Sequence, residues 1–475
     1  MTAVNSSAAR AASRLRPGRL AKVRSAAGRW AGLGRSGRRR RHWRALTGRW
    51  IRTFLGAWLA VGLAVGLTSC GRRDAPSGQT QPQRPKPRPP GAASKPASGA
   101  SPTPGVVYLK DVVTNVPWCI QVAKIDRTRP DLELHTMLAW GRIAGLATLS
   151  DQVALVPPEW GRPVVALNGD FYVVDPKHPY VGDPRGLQIM DGELVSGPTD
   201  QDSFWLDPAG RAQVGHVQAR FEVRWPDGTT SPFGLNEERP PAGVVLYTPR
   251  MGVSTRTPAA GLEFVLEPAG TGPWLPLQAG QQYTARVREL RRSCDTPLVG
   301  DVMVLSVGPQ LLATNRAVAA VQVGSILRLS TATEPDLRGV RVAISGGSVL
   351  LRDGHRAPLE VPHTLDYRFR SVFERHPRSA VGANGQFIFL VQVDGRQPRL
   401  SMGMTLKELA EYMLKLGCKL ALNLDGGASS TFWLEGQVLN SPCHGREREI
   451  ANGLVVVQKS LAQVQSDADR RRRGG

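Results

Sequence analysis

Polar and glycine residues interrupt three otherwise apolar stretches of this 475-residue chain. The stretches span residues 164–172, 376–382 and 421–431, and their candidate functional residues are Asn168, Gly169, Asp170, Arg378, Ser379, Asn423, Asp425, Gly426, Gly427, Ser429 and Ser430. Together these residues supply two carboxylates, amides, a guanidinium and glycines that permit close backbone approach, a set that suits a phosphorylated or sugar ligand. Each stretch alone also fits a turn, a solvated arginine or a loop. The prediction therefore depends on the three stretches meeting in one pocket.

The elements that must position these residues are mostly strands. Short apolar runs alternate with glycine-containing turns from about residue 105 to 459, and Asp-Gly turns are expected at Asp191-Gly192, Asp353-Gly354 and Asp394-Gly395. Asp-Gly between alternating apolar runs is a strong hairpin signal, because both residues tolerate positive φ. The predicted fold class is α+β, a β-rich body of mostly antiparallel hairpins with a few helices packed on the sheet.

One helix is predicted clearly, directly before the third stretch. Thr405 and Glu408 have the spacing of a capping box, apolar residues follow at helical spacing, and Gly417 suits the C-terminal end. A buried strand over residues 419–424 then leads into the loop 425–430. This order places polar groups at the carboxyl end of a strand, where open sheets commonly bind ligands. A weaker helix is expected over residues 141–154.

The charge of the chain is concentrated at its N-terminus. The whole sequence has a net charge of +22, but residues 1–53 hold 15 Lys and Arg and no acid, which leaves 46 basic and 39 acidic side chains elsewhere. The folded body is therefore close to neutral, and no nucleic-acid partner is predicted. Two interpretations of the basic region remain open: it is an Arg-rich cytoplasmic arm, or the true start of the protein lies downstream of Met1.

An uncharged apolar segment, residues 54–70, follows the basic region and ends in Leu67-Thr-Ser-Cys70-Gly. This pattern is typical of a bacterial lipoprotein signal peptide with Cys70 as the lipidated residue, and an uncleaved signal anchor is the alternative. Either one predicts an exported protein held to the membrane on its extracytoplasmic side. The expected organisation is a basic region plus signal peptide (1–70), a Pro/Ser-rich disordered tether (71–105), a folded domain (106–460) and a basic disordered tail (461–475).

Four cysteines remain if Cys70 is lipidated. An even number in an oxidising compartment allows disulfides, and Cys418 and Cys443 flank a candidate hairpin and could be bridged. Free buried thiols are the alternative. No metal site is predicted because no zinc-type ligand spacing occurs. No cofactor is predicted either, and a divalent cation at the loop carboxylates is left open.

The order of motifs resembles the phosphodiester glycosidase family. The resemblance rests on Asn168–Tyr172, Pro377–Gly382, the Thr405-capped helix, Asn423–Ser430 and Arg448–Gly453, and covers roughly residues 106–458. Two departures are Asp170 and Ala428, where many members have glycine. The 200–340 region matches only loosely.

The resemblance implies hydrolysis of the bond between the anomeric carbon of a sugar and a phosphodiester oxygen of an envelope or extracellular glycoconjugate. It implies Arg378, then Arg448, as the cation for the phosphate, and Asp425 or Asp170 as the carboxylate facing the anomeric carbon. Asn168 would hold a sugar hydroxyl or the phosphate. The other residues of the three stretches would contact substrate: Gly169, Ser379, Asn423, Gly426, Gly427, Ser429 and Ser430.

Two other functions are compatible with the same residues. A non-catalytic, envelope glycan-binding lipoprotein would keep the pocket without turnover, and a purely structural lipoprotein would bind nothing there. The expected partners are a sugar-phosphate glycoconjugate and, through the lipidated N-terminus, a membrane. The oligomeric state is not predicted.

Overall fold

The computed structural model describes residues 99–100, 103–359 and 371–473, and the side chains of 99–100 and 470–473 are not described. The predicted signal peptide and nearly all of the predicted tether lie outside these residues. No helix within the described ranges is long and apolar enough to cross a membrane.

The described ranges contain twenty-six strands. The first thirteen are β1 Gly99–Ala100, β2 Val106–Val113, β3 Trp118–Asp126, β4 Leu132–Leu138, β5 Arg162–Asn168, β6 Gln188–Met190, β7 Glu193–Ser196, β8 Asp202–Leu206, β9 Ala212–His216, β10 Gln218–Arg224, β11 Thr230–Pro232, β12 Gly234–Leu235 and β13 Val244–Tyr247. The others are β14 Leu262–Pro268, β15 Gln282–Arg291, β16 Met303–Val307, β17 Ile326–Glu334, β18 Val342–Ser345, β19 Val349–Arg352, β20 His355–Arg356, β21 Arg378–Ala383, β22 Phe387–Val393, β23 Leu420–Asn423, β24 Phe432–Leu434, β25 Gln437–Val438 and β26 Asn452–Gln458.

Helices are few. Those with both ends inside the described ranges are α1 Leu149–Ala154, α2 Pro309–Thr314, α3 Arg316–Ala319, α4 Leu406–Lys415 and α5 Leu461–Arg473, with 3₁₀ turns at Ala139–Gly141, Pro249–Met251 and Gly427–Ser429. The β-rich α+β prediction is confirmed.

Four sheets organise the strands, and every pairing is antiparallel except β12 with β13. The first sheet has the order β1-β2-β3-β22-β21-β23-β19-β20 and the second β11-β10-β17-β15-β14-β16-β13-β12. The third is β7-β6-β18-β8-β9 and the fourth β25-β24-β5-β26-β4.

The first sheet is a central layer that is covered on both faces. On one face Ala380 and Phe389 pack with Leu409 of α4, and on the other Val381 packs with Leu167 of the fourth sheet. All six residues of β21 are buried for this reason. The carboxyl ends of β5 and β23 and the start of β21 thereby come together at one edge of the two sheets.

The predicted local elements can be compared one by one. The capping box is present: the Thr405 side chain accepts from Glu408 N, and the Glu408 side chain accepts from Thr405 N. In the first predicted turn Asp191 and Gly192 have φ of 49° and 87°, and in the second Asp353 and Gly354 have φ of 51° and 77°. Each turn joins two paired strands.

Asp394-Gly395 does not close a hairpin, contrary to the prediction. Asp394 is buried and its Oδ1 accepts from Gln392 Nε2 at 3.0 Å and from Ser441 N at 3.0 Å. The carboxylate is thus held by a distant loop, and the chain continues past it into an excursion that brings Arg396 towards the edge where β5 and β23 end.

One helix prediction and one prediction of disorder are corrected. The segment 141–154 is helical only over α1, because the effective N-cap is Thr148, whose side chain accepts from Asp151 N. The tail forms α5 over 461–473 instead of remaining disordered. Its start is a second capping pair, in which Gln463 N donates to Ser460 Oγ and Ser460 N donates to Gln463 Oε1.

The start of the fold and the cysteines also differ from expectation. β1 pairs with β2, and Thr103 is buried, so ordered structure begins within the predicted tether. Cys418 and Cys443 are free thiols, as are Cys119 and Cys294, and the possible disulfide is not formed. Cys418 is buried in the core cluster beneath α4, whereas Cys443 lies partly exposed in a loop.

Candidate active site

A cleft of about 1580 Å³ opens where the ends of β5, β21 and β23 meet. Each of the three predicted stretches contributes to its wall, through Phe171 and Tyr172, through Arg378, and through Asp425 with the glycines that follow it. The wall also contains Arg185, Gln201, His376, Arg396, Asn423 and Arg448. The three distant segments therefore do share one pocket.

Asn168 ties the three stretches together from behind the cleft. Its Nδ2 donates to the backbone oxygen of Asp425 at 2.7 Å, and its Oδ1 accepts from Ser379 Oγ at 2.6 Å and from Thr431 N at 3.1 Å. Asn168 is 1% exposed. Because these bonds engage both ends of the amide, the structure favours a positioning role for Asn168 over the predicted contact with substrate.

Gly169 and Asp170 are held by Asn452. Asn452 O accepts from Gly169 N, and Asn452 Oδ1 accepts from Asp170 N at 2.8 Å. A Cβ on Gly169 would lie 2.3 Å from Asn452 Oδ1, so no larger residue fits without a rearrangement. Gly169 O also accepts from Asp425 N at 2.9 Å, which fixes the start of the loop 425–430 against the end of β5.

Asp170 is a buried carboxyl group next to the cleft wall. Burial raises its pKa well above the ordinary value, and the nearby charge of Asp425 raises it further. Phe171 N donates to Oδ1 at 2.7 Å, and the Gln201 amide, oriented to satisfy its neighbours, donates to the same oxygen at 3.0 Å. Its Oδ2 has no hydrogen-bond partner among the described residues. Burial and the charge of Asp425 therefore favour the protonated form of Asp170 more than in an exposed aspartate.

Asp425 lies in the cleft wall and is partly buried. Burial raises its pKa to about 6, against the opposing effects of a hydrogen bond from the Ser429 hydroxyl, the Arg448 guanidinium, the Gly426 N–H and the Arg396 guanidinium. Gly426 N donates to Oδ1 at 2.8 Å. At neutral pH Asp425 is mostly ionised, yet it can hold a proton transiently, which suits a general base or a nucleophile.

Arg378, the predicted phosphate cation, lies in the wall but is largely committed to the protein. Its Nε donates to Met404 O at 2.8 Å, and its Nη2 donates to Glu374 O at 2.9 Å and to Ser371 O. The side chain is 5% exposed. Its main observed role is to hold the backbone that surrounds the start of β21.

Two other arginines present their charge more openly. Arg448 Nη1 donates to Ser429 Oγ at 3.5 Å, and the guanidinium carbon lies 5.5 Å from the centre of the Tyr172 ring. Arg396 approaches Gly427 so closely that its Nη2 lies 3.1 Å from the position of a Cβ there. Both side chains contribute to the wall, so the cleft brings two guanidinium groups into the same wall as the Asp425 carboxylate.

The remaining predicted residues divide into two groups. Asn423 contributes to the cleft wall and is 3% exposed, and its buried Oδ1 has no hydrogen-bond partner among the described residues. Gly426 and Gly427 also line it. Ser379 and Ser430 are buried behind it, where Ser379 Oγ lies 3.3 Å from Ser430 Oγ, and they support Asn168 instead of contacting ligand.

The residues that the sequence prediction missed are mainly His376, Arg396, Tyr172 and Asn452. His376 and Tyr172 fall inside the quoted motifs, where their proximity to the cleft could have been noted. Arg396 was hidden because Asp394-Gly395 looks like a hairpin turn. Among the described residues there is no cluster of three or more His, Cys, Asp or Glu side chains suited to a metal ion.

Comparison with known proteins finds similarity in the C-terminal part of the domain. A family model described as phosphodiester glycosidase matches residues 297–457. Over 108 residues the chain is 36% identical to N-acetylglucosamine-1-phosphodiester alpha-N-acetylglucosaminidase of Bos taurus, which covers 22% of this chain and 20% of that relative. Over 120 residues it is 30% identical to the SPbeta prophage-derived protein YomE of Bacillus subtilis (strain 168), which covers 25% of this chain and 18% of that relative.

The chain thus spans about a fifth of the length of these curated relatives. A crystal structure of a protein from Synechocystis superposes with a TM-score of 0.59 at 20% identity, over 75% of this chain and 63% of that one, which shows a shared fold. The matched residues 297–457 contain two of the three cleft segments and Arg448. The comparisons confirm the resemblance to the phosphodiester glycosidase family, whose model matches residues 297–457.

Proposed function

We propose that this chain is a hydrolase that cleaves the bond between the anomeric carbon of a sugar and a phosphodiester oxygen, releasing the sugar and a phosphomonoester. The observation that carries the proposal is the meeting of Asp425 with Arg448 and Arg396 in one cleft. A carboxylate for the anomeric centre and cations for the phosphate are the two groups that this reaction requires.

The chemistry follows from the charges. As the bond between the anomeric carbon and the oxygen breaks, its electron pair stays on the phosphate oxygen, and positive charge develops on the sugar. Asp425 stabilises that charge and then acts by one of two routes, which differ in stereochemical outcome. It takes a proton from a water that attacks the anomeric carbon, or it bonds to that carbon and a water then breaks the bond, which frees the sugar and restores the carboxylate. The arginines stabilise the departing phosphomonoester, which is a weak base and needs little protonation.

The polarity of the cleft wall supports one orientation of the substrate. Asp425 is an acceptor that suits sugar hydroxyls. Asn423 and the ring of Phe171 lie in the same wall, with Asn423 Nδ2 2.8 Å and Phe171 Cε2 3.4 Å from the Cβ position of Gly347. Arg448 and Arg396 are donors that suit phosphate oxygens. The sugar would therefore lie against Asn423 and the phosphate against the arginines.

The test is sugar release from a panel of methyl phosphodiesters of sugar 1-phosphates that vary in sugar and anomer. Wild type should release reducing sugar from at least one member, and Asp425→Asn should lower kcat by about 100-fold or more, the usual size of a lost acid–base or nucleophilic group. Asp353→Asn, an exposed hairpin aspartate, is the matched control and should be unchanged. Binding of a panel member without release by wild type would instead establish the glycan-binding alternative.

We also propose that the domain is exported and tethered to a membrane through Cys70. The support is the basic and apolar sequence before Cys70, which lies outside the described residues. Labelling of the bacterial host with a fatty-acid analogue should mark the wild-type chain and not Cys70→Ser. Equal labelling of both would refute the anchor and leave the proposed reaction untouched.

A further inference from the structure

Arg396 occupies an unusual position on the wall of the cleft. It follows Gly395 in the excursion after β22, and its own φ is +58°, in the left-handed region that non-glycine residues seldom adopt. This conformation directs the side chain towards Gly427, whose lack of a Cβ leaves room for the guanidinium. A strained backbone at a cleft is a recurring mark of a functional side chain.

His376 holds the guanidinium from the other side. Its Nδ1 lies 3.4 Å from Arg396 Nε and 3.3 Å from Arg396 Nη2, and its Nε2 lies 3.1 Å from Glu374 Oε2. Because Nδ1 accepts from an arginine, it carries no proton, and Nε2–H donates to the Glu374 carboxylate. The carboxylate thereby fixes one tautomer and one ring orientation, as second carboxylates do for histidines in metal sites.

The backbone of His376 is fixed as well. Its N donates to Met404 O at 3.2 Å, and its O accepts from Met404 N at 3.0 Å, which bridges this segment to the start of α4. Burial and the charges of Arg378 and Arg396 lower the pKa of His376 in spite of Glu374, so the ring is neutral and remains an acceptor near pH 7. The nearby Arg375 is paired with Glu408.

We propose that Arg396 is the principal phosphodiester-binding cation of the cleft and that His376, oriented by Glu374, is the positioning residue that aims it. This inference rests on the proposed function and deepens it, because it selects Arg396 from the two arginines placed at the phosphate and names the residue that positions it. Arg378 is 5% exposed, whereas Arg396 is exposed in the cleft wall and lies beside Gly427, in the turn that follows Asp425. Glu374 thus orients His376, and His376 positions Arg396; we call these three residues the relay. The relay sets the distance between the phosphate and the Asp425 carboxylate.

The test is the binding of dimethyl phosphate, a phosphodiester that has no anomeric carbon to cleave, measured by phosphorus NMR titration near pH 7. Arg396→Ala should weaken binding by roughly tenfold or more, the scale of a lost charge-assisted hydrogen-bond pair. His376→Phe keeps the ring volume without the acceptor and should weaken binding about fivefold or more. His376→Asn places an amide oxygen near the former Nδ1 and should stay within about threefold of wild type.

The relay also predicts how the substitutions combine. The double variant Arg396→Ala/His376→Phe should bind like Arg396→Ala alone, since His376 acts only through that arginine. The controls are Arg399→Ala and His355→Phe, both exposed, and both should bind like wild type. A merely structural role of His376 would give additive losses and no recovery with asparagine.

The outcomes separate this inference from the proposed function. If wild type hydrolyses the sugar phosphodiester panel but Arg396→Ala and His376→Phe bind dimethyl phosphate normally, the relay is refuted and the hydrolase stands. If no panel member is hydrolysed but the binding pattern is as stated, the relay stands and the hydrolase falls. Absence of dimethyl phosphate binding by wild type, additive losses, or an asparagine variant as weak as the phenylalanine variant would each overturn the relay.

Discussion

Removal of the Asn168 amide should damage stability and activity together. Asn168→Ala deletes three hydrogen bonds that join β5 to the segments carrying Ser379, Asp425 and Thr431. The Ser379 hydroxyl can still reach Ser430 Oγ at 3.3 Å, so two groups, the part-buried Asp425 carbonyl and the buried Thr431 N–H, lose their side-chain partner. At about 1–3 kcal/mol for each stranded group, the free energy of unfolding should fall by about 2–6 kcal/mol.

That loss is large for a domain, because folded proteins are stable by only about 5–15 kcal/mol. The assay is urea denaturation followed by sugar release at a temperature where the variant is still folded. We expect kcat to fall at least about tenfold, since a misplacement of about 1 Å at a reacting group can cost that much or more.

The control for Asn168→Ala is Asn115→Ala, at an exposed residue whose side chain makes a local bond to Val116 N. It should change stability by less than about 1 kcal/mol. The reasoning would be refuted if Asn168→Ala cost no more than the control and retained full kcat, because the amide would then not be what positions the Asp425 loop.

Three further predictions address stability, capping and thiols. The pKa of Asp425 is about 6 in the folded protein against an ordinary 3.8, so the folded state favours the protonated carboxyl by at most about 3 kcal/mol. This proton therefore stabilises the fold fully near pH 3, and the stabilisation is lost as the pH rises through 6. Asp425→Asn should therefore raise Tm relative to wild type at pH 8 and lose that advantage near pH 4, and equal Tm differences at both pH values would contradict it. Thr405→Ala should cost about 1 kcal/mol in urea denaturation, and a neutral result would mean that the capping box does not stabilise α4. Alkylation of the unfolded chain without reductant should modify both Cys418 and Cys443, whereas a disulfide-linked peptide would overturn the free-thiol assignment.

Local features of the fold were predictable because neighbouring residues determine them. The capping box at Thr405 and the turns at Asp191-Gly192 and Asp353-Gly354 depend on a few adjacent side chains and on the φ preferences of aspartate and glycine. The same reasoning could have found the start of α5, since Ser460 and Gln463 have the capping spacing, but the charge of the tail concealed it.

The partners of the site residues were not predictable, because they come from distant parts of the chain. Asn168 and Asp425 are 257 positions apart, and the hydrogen bond between them is set by how the first and fourth sheets pack. Arg378 looked available for phosphate, but Met404 O and Glu374 O take its donors. The residue types in the sequence thus indicated which segments form the cleft. Which of those residues face the ligand and which support them required the tertiary structure.

The position of bond cleavage tests the central claim most directly. The phosphodiester that wild type hydrolyses is incubated in water enriched in oxygen-18, and the phosphomonoester product is analysed by mass spectrometry, since its oxygens do not exchange with water under mild conditions. Attack at the anomeric carbon, with Asp425 facing the sugar and arginines holding the phosphate, predicts a phosphomonoester without the heavy isotope. Incorporation of one heavy oxygen into that product would show attack at phosphorus and would contradict the account.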